Sequence, residues 1–278
     1  MDTLSFLFRP RPAGRLFGIP ILVMPAVVVL TVLVLLLAGG RGGAPSALWT
    51  FSVLLVLAAS LLAHELGHAL VARRLRVEVL DITIWPLGGM ARMEGLSDRP
   101  GLEGAIAVAG PLVNLVLAGL FHLVPGSIAF LVVWVNFVLG AGNLIPVFPL
   151  DGGRVLRAFL ARHAPIADAT RAAVRLGGWL NLALLGAFFL ADSPFLGLIF
   201  SLYLWGMGRM EIFQVVLRTG QFPVLPVGEV VRRAFAGLGP PTRGEPGAPE
   251  EPPTGMKENL EHFRGSLDEF FRRGRPPL

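Results

Sequence analysis

Three residues within one apolar stretch have the types and spacing of a metal-dependent hydrolase. The segment His64-Glu65-Leu66-Gly67-His68 matches the pattern H-E-x-x-H. On a helix, residues four apart lie one turn apart on the same face, so both imidazoles can reach one metal ion. The intervening glutamate then lies where a water molecule would be activated. The pattern predicts a metal site with His64 and His68 as ligands and Glu65 as the general base.

Zinc hydrolases need a third protein ligand, and Asp151 is the strongest candidate. The chain has no cysteine, so the ligand must be a histidine or a carboxylate. Asp151 follows a long uncharged run that contains Pro146 and Pro149, which must break or kink their helix. Freed backbone at membrane depth is tolerated where it lines a cavity, so this carboxylate could face the metal. The alternative is that Asp151 caps the next helix.

The three remaining histidines are weaker candidates for the third ligand. His122 lies at the outer end of an apolar run, and His163 and His262 lie in polar segments. We expect all three to be ordinary surface or interfacial residues.

The composition is that of a membrane protein. Of 278 residues, 54% are hydrophobic and only 15% are charged, and the mean hydropathy is +0.67. A soluble domain of this length would need more polar surface. The net charge of +5 comes from arginines that lie between apolar stretches, which favours membrane topology and no nucleic-acid partner.

The order of apolar runs predicts an all-α multi-pass membrane protein with about six transmembrane helices. One segment, 77–94, instead has β-branched residues at near-alternate positions followed by Gly-Gly, which predicts a small membrane-associated β-hairpin. Runs of 16–20 residues or more are long enough, or nearly so, to cross a bilayer. The predicted spans are 19–38, 47–72, 104–123, 127–150, 176–191 and 193–208.

Arginine placement predicts a cell-membrane protein with both termini in the cytoplasm. Six spans with an internal amino terminus put most loop arginines inside and only Arg41 outside. We expect three regions: a membrane-embedded domain at 1–218, a disordered linker at 219–256 and an amphipathic basic tail at 257–278. The apolar face of the tail is Leu260, Phe263, Leu267, Phe270 and Phe271.

Two motifs on separate spans resemble the site-2 protease family of intramembrane zinc metalloproteases, of the peptidase M50 type. They are H-E-L-G-H at 64–68 and N-x-x-P-x-x-P-L-D-G-G at 143–153. Gly110-Pro111 with Asn114 resembles another recurrent family segment, and Pro86-Leu87-Gly88-Gly89 resembles the membrane-associated hairpin of the family. The resemblance covers about residues 15–215.

The resemblance implies a function and a role for each motif residue. It implies one Zn²⁺ ion held by His64, His68 and Asp151, with Glu65 as general base. Asn143 matches the motif asparagine near the catalytic centre, where it either steadies the oxyanion or bonds freed backbone. The implied partners are the lipid bilayer and a transmembrane protein substrate, whose identity the sequence leaves open along with the oligomeric state.

Two other functions fit parts of the pattern. Polar residues in spans, broken helices and Gly-rich turns also suit a membrane transporter of metals or other solutes. Cation transport does not need a glutamate inside the H-x-x-x-H turn, however, and hydrolysis does. An inactive scaffold is the other alternative, and the intact set of histidines, glutamate and aspartate argues against it.

Overall fold

A computed structural model of the chain describes residues 5–86, 88–94 and 99–242. The chain forms two compact units, one of residues 1–98 with 105–143 and the other of residues 99–104 with 144–278. The described residues form seven α-helices, one short 3₁₀ helix (Ser5–Phe8) and four strands, so the predicted mainly helical architecture with a small sheet is confirmed.

The first unit contains a four-stranded sheet in the order β1-β2-β3-β4. Pairing is antiparallel for β1 with β2, parallel for β2 with β3 and antiparallel for β3 with β4. The predicted hairpin at 77–94 is confirmed as β3 and β4, but it is only half of the sheet. The strands are β1 (Arg11–Leu16), β2 (Ile19–Val23), β3 (Val79–Trp85) and β4 (Gly88–Met93).

The expectation of a helix over 19–38 is wrong at its start, because residues 19–23 form β2. Phe17 and Gly18 both have positive φ (51° and 80°), as in the two-residue hairpin turns that match strand twist. Ile19 and Ile21 then alternate onto the buried face with Ile82. The helix begins only at Pro25, a residue that suits a first helical turn.

Three α-helices belong wholly or mainly to the first unit: α1 (Pro25–Arg74), α2 (Pro100–His122) and α3 (Ser127–Asn143). Helix α1 joins the first two predicted spans and is interrupted at Gly43, which has φ 68° and precedes Pro45 by two residues. The fourth predicted span, 127–150, ends early at Asn143. Pro146 and Pro149 break it as predicted, and a new helix starts at Asp151.

The second unit is built on α4 (Asp151–Leu160), α5 (Ile166–Leu190), α6 (Pro194–Thr219) and α7 (Val227–Ala236). Helices α5 and α6 pack against each other across a short connection. Both are longer than the apolar runs 176–191 and 193–208 that predicted them. The core of the unit consists of alanines, branched aliphatic side chains and one phenylalanine: Phe148, Leu160, Ala164, Ala169, Ala172, Ala173, Leu225, Val230 and Ala234.

The predicted disordered linker from residue 219 is wrong for its first part, because α7 lies inside it. The buried carboxylate of Asp168 accepts hydrogen bonds from the backbone N–H groups of Val224 and Leu225 (2.6 and 2.7 Å), which fixes the approach to α7. Val230 is then fully buried in the core. Residues 243–256 and the predicted tail at 257–278 lie outside the described residues.

Among the described residues, three helices are long and apolar enough to cross a membrane: α1, α2 and α5. Helix α3 is apolar but shorter, with 17 residues. Helix α6 carries Arg209 and Glu211 within its length. The chain is therefore a membrane protein with several apolar helices, and the number of six spans stays a prediction.

Candidate metal centre

The two histidines of the H-E-x-x-H segment point at each other from successive turns of α1, as predicted. His64 and His68 are both buried, and their Nε2 atoms lie 3.1 Å apart. Two nitrogens bound to one tetrahedral zinc ion at 2.0–2.1 Å would be separated by about 3.3 Å. The spacing and the donor type therefore fit zinc.

The hydrogen bond at Nδ1 of each ring determines which of the two ring nitrogens carries the proton. His68 Nδ1 lies 2.7 Å from the carbonyl oxygen of Ile106, which can only accept, so this nitrogen donates. The backbone nitrogen of Gly110 lies 3.3 Å from the same atom. The contact with the Ile106 carbonyl is shorter, so we place the proton on His68 Nδ1. His64 Nδ1 lies 2.5 Å from Asn114 Oδ1. Both rings thus carry the proton on Nδ1 and present Nε2 as the ligand atom.

Helix α2 approaches the two rings through a glycine. A Cβ on Gly110 would overlap His68 Nε2 and would lie 2.8 Å from His64 Nε2, so any side chain there would enter the space beside the ligand atoms. On the α1 side, a Cβ on Gly67 would lie 2.9 Å from the carbonyl oxygen of Ala109. The two helices touch backbone to backbone because both positions lack a side chain.

Glu65 is buried and faces the sheet. Its Oε2 accepts a hydrogen bond of 2.9 Å from the backbone N–H of Ala91 in β4. A Cβ on Gly89 would lie 2.6 Å from Glu65 Cγ, so the strand passes directly over the side chain. The sheet thus holds the expected base through an edge strand.

Asp151 is the first residue of α4 and is buried. Leu150 occupies the N-cap position, so the alternative of Asp151 as a helix cap is not supported. A carboxylate in the first helical turn is favoured by the helix dipole. His64, His68 and Asp151 are thus all buried and all of residue types that bind zinc.

Comparison with known proteins agrees with this geometry. The sequence profile of peptidase family M50 matches residues 52–126 and 122–185. The chain is 37% identical over 195 residues to Rip3 of Mycobacterium tuberculosis, provisionally named a zinc metalloprotease, covering 63% of this chain and 50% of that protein. A zinc metalloprotease of Methanocaldococcus jannaschii is 34% identical over 141 residues, or 47% of this chain and 41% of that protein.

A solved structure gives the same result for the fold. The site-2 protease from Methanocaldococcus jannaschii matches with a TM-score of 0.56 and 27% identity, covering 73% of this chain and 95% of the solved chain. The chain belongs to the site-2 protease family. It spans about half the length of the first curated relatives it matches.

Asn143, the motif asparagine of the site-2 protease pattern, ends α3. Its Nδ2 donates to the carbonyl oxygen of Leu139 at 2.8 Å, one turn back in the same helix. The Leu139 carbonyl is already the regular acceptor, four residues back, for the backbone N–H of Asn143 within α3. The role of Asn143 at the catalytic centre stays a prediction.

The other histidines are placed away from this role. His122 is exposed at the end of α2. His163 Nδ1 lies 2.8 Å from the carbonyl oxygen of Leu238, to which it can donate. His262 lies outside the described residues.

Five residues around the site were not assigned a role from sequence: Gly89, Ala91, Gly110, Asn114 and Asn136. Gly110 and Asn114 lie in a segment that resembles the site-2 protease family. This resemblance indicated that the segment is close to the site, but it did not predict which atoms the two residues contact. Gly89 and Ala91 lie in the predicted hairpin, but no pattern shows which strand residue meets Glu65.

Proposed function

We propose that the chain hydrolyses peptide bonds of membrane-spanning proteins with one zinc ion held by His64, His68 and Asp151. The observation that carries this proposal is the buried pair of Nε2 atoms 3.1 Å apart, with Glu65 between the two histidines in sequence. Relatives named as zinc metalloproteases and the fold of a site-2 protease support it.

The metal chemistry follows from the donor set. Two neutral imidazoles and one carboxylate leave a fourth position for water, as in catalytic zinc sites. Zinc, when bound, acidifies a water molecule and polarises the scissile carbonyl. The chain supplies the orientation of the two histidines through their Nδ1 bonds, and it buries both rings together with Glu65.

Glu65 is the proposed general base. Its carboxylate takes a proton from the attacking water and returns it to the amine that leaves when the C–N bond breaks. The hydrogen bond from Ala91 N–H fixes the direction of the carboxylate. Asn143 is the proposed donor to the developing oxyanion, since its amide nitrogen carries a second N–H besides the one bonded to Leu139.

The outer edge of β4 is the proposed docking edge for substrate. A helical substrate hides its carbonyls in its own hydrogen bonds and must unwind before cleavage. An extended segment can then pair with an exposed strand edge. Because β4 is the last strand of the sheet and its Ala91 N–H points at Glu65, a segment paired there would lie next to the base.

Orientation in the membrane is part of the proposal. Arginines at 73–76, 92–99 and 154–175 are placed in the cytoplasm, together with both termini. Reporter fusions after residues 76, 99, 165 and 218 are expected inside, and fusions near 42, 125 and 192 outside. An external reporter signal after residue 165 would contradict this orientation.

The variant Glu65→Gln separates hydrolysis from transport or a scaffold role. Loss of the base is expected to lower cleavage by at least about 10²-fold while zinc content stays at the wild-type level. Glu78→Gln, at an exposed position of the same unit, is the matched control and should keep full activity. Equal cleavage by Glu65→Gln and wild type would contradict the proposed mechanism.

A further inference from the structure

We propose that Asn114 and Asn136 are positioning residues that hold His64 in the tautomer with its proton on Nδ1. This inference rests on the proposed function, since it matters only if His64 binds a metal. It concerns a network of hydrogen bonds that joins α1, α2 and α3 on the Nδ1 side of His64.

The hydrogen-bond network runs from Asn136 on α3 through Asn114 on α2 to His64 on α1. Asn136 Nδ2 donates to the carbonyl oxygen of Val132 and to Ser60 Oγ, each at 2.9 Å. Asn114 Nδ2 donates to Asn136 Oδ1 at 2.7 Å and to the carbonyl oxygen of Ser60 at 3.1 Å. Asn114 Oδ1 faces His64 Nδ1 at 2.5 Å. Both amide groups thus use their two N–H donors and their oxygen.

The direction of these bonds is fixed by two backbone carbonyls. A carbonyl oxygen can only accept, so the amide nitrogen of Asn136 must face Val132 and its oxygen must face Asn114. For the same reason the amide nitrogen of Asn114 faces Ser60, and its oxygen faces His64. His64 Nδ1 must then donate, which leaves Nε2 as the metal-binding nitrogen.

Burial makes the arrangement costly to reverse. Asn114 is 0% and Asn136 is 1% exposed, so bulk water does not replace a lost partner. Turning either amide over would set nitrogen against nitrogen or oxygen against oxygen. A buried polar group left unsatisfied is destabilising, so one orientation is selected.

The two histidines differ in what sets their tautomer. His68 is set directly by the backbone carbonyl of Ile106, which mutation does not remove. His64 is set by side chains on two other helices, so its tautomer can be altered without touching a ligand. Partners of this kind typically change metal affinity by about 10- to 100-fold when removed.

The first experiment leaves Asn114 and Asn136 unchanged. In metal-free protein labelled with ¹⁵N-histidine, the five histidines give a sparse spectrum, and His64→Gln identifies the signal of His64. We expect a proton on His64 Nδ1. A His64 ring whose Nδ1 carries no proton would overturn the inference.

The second experiment measures zinc affinity by competition with a chelator, alongside the ¹⁵N spectrum. Asn114→Leu and Asn136→Leu are expected to weaken zinc binding by about 10- to 100-fold. Asn114→Asp keeps an acceptor towards His64 Nδ1, so it should bind zinc more tightly than Asn114→Leu and keep the Nδ1 proton. If one leucine variant does not fold, the other and Asn114→Asp still decide the outcome.

Asn181→Leu is the matched control, because Asn181 is a buried asparagine of the other unit that donates to the Ser201 carbonyl. It should bind zinc like the wild type. Leucine variants at 114 and 136 with the zinc affinity of Asn181→Leu would overturn the inference and leave the proposed function standing. A wild-type protein that binds no zinc would instead overturn the proposed function.

Discussion

The carboxylate of Glu65 accepts a hydrogen bond from the backbone N–H of Ala91, with 2.9 Å between the two atoms. Ala91 belongs to β4, one of the two edge strands of the sheet. The expected base and the expected substrate-pairing edge are therefore in direct contact. Changes in the strand at this point should alter catalysis without removing a metal ligand.

Gly89→Ala tests this contact between strand and base. The new Cβ would lie 2.6 Å from Glu65 Cγ, so the glutamate or the strand must move. Overpacking of this kind costs about 1–3 kcal/mol, or about 10- to 100-fold in rate if all of it falls on the placement of the base. We expect a lower kcat at unchanged zinc content. Loss of zinc with kcat per bound zinc unchanged would contradict the assignment of Glu65.

Gly110→Ala tests the approach of α2 to the ligand atoms. Its Cβ would overlap His68 Nε2, and we expect about a 10- to 100-fold loss of zinc affinity. Gly119→Ala is the matched control, since it lies on the same helix with nothing within 4 Å of the added Cβ. Equal zinc affinity of the two variants would show that Gly110 does not border the metal.

The sequence predicted the parts of this site that local spacing controls. H-E-x-x-H places His64 and His68 together because a helix repeats every 3.6 residues, and Pro146 and Pro149 had to end α3 before Asp151. Nothing local shows that Asn136 reaches Ser60 and Asn114. An asparagine within an apolar helix signals that some partner exists, but the packing of three helices chooses which one.

The errors in the predicted fold also have physical causes. The apolar residues 19–23 are compatible with either a helix or a strand. They form a strand because they pair with β1 on one side and β3 on the other. Helix α7 lies between segments rich in proline and glycine, and it is stabilised by burial of Val230 and Ala234. The formation of β2 and of α7 thus depends on tertiary contacts, which cannot be predicted from local composition.

Asp151→Asn and Asp151→Ala test the third ligand. We expect zinc affinity to fall by more than the roughly 10- to 100-fold typical of residues behind a ligand, and cleavage to be abolished. Asp192→Asn, an exposed aspartate between α5 and α6, is the control. Full zinc content in Asp151→Ala would move the third ligand elsewhere.

Arg157→Met tests the buried ion group that anchors α4. Arg157 pairs with Glu103 and Glu211, and Phe148 lies under its guanidinium at 5.1 Å. Removing one member of a buried ion group typically costs about 3–5 kcal/mol, because the remaining charges lose their partner. We expect that loss in the free energy of unfolding.

Arg154→Ala, at an exposed position of the same helix, should change stability by less than about 0.5 kcal/mol. Denaturant unfolding of both variants in detergent measures the difference. Equal stabilities would show that the ion group does not hold α4 in place.

Zinc dependence of cleavage is measured most directly by stripping and reloading the full-length protein in liposomes. The probe is a single-span peptide with helix-breaking residues at mid-span, and zinc content and cleavage are recorded together. We predict that cleavage disappears when a chelator removes the metal and returns in proportion to zinc, saturating at one ion per chain. His64→Ala should not recover under the same conditions. Cleavage that continues at the original rate after the zinc has been removed would contradict a zinc-dependent protease.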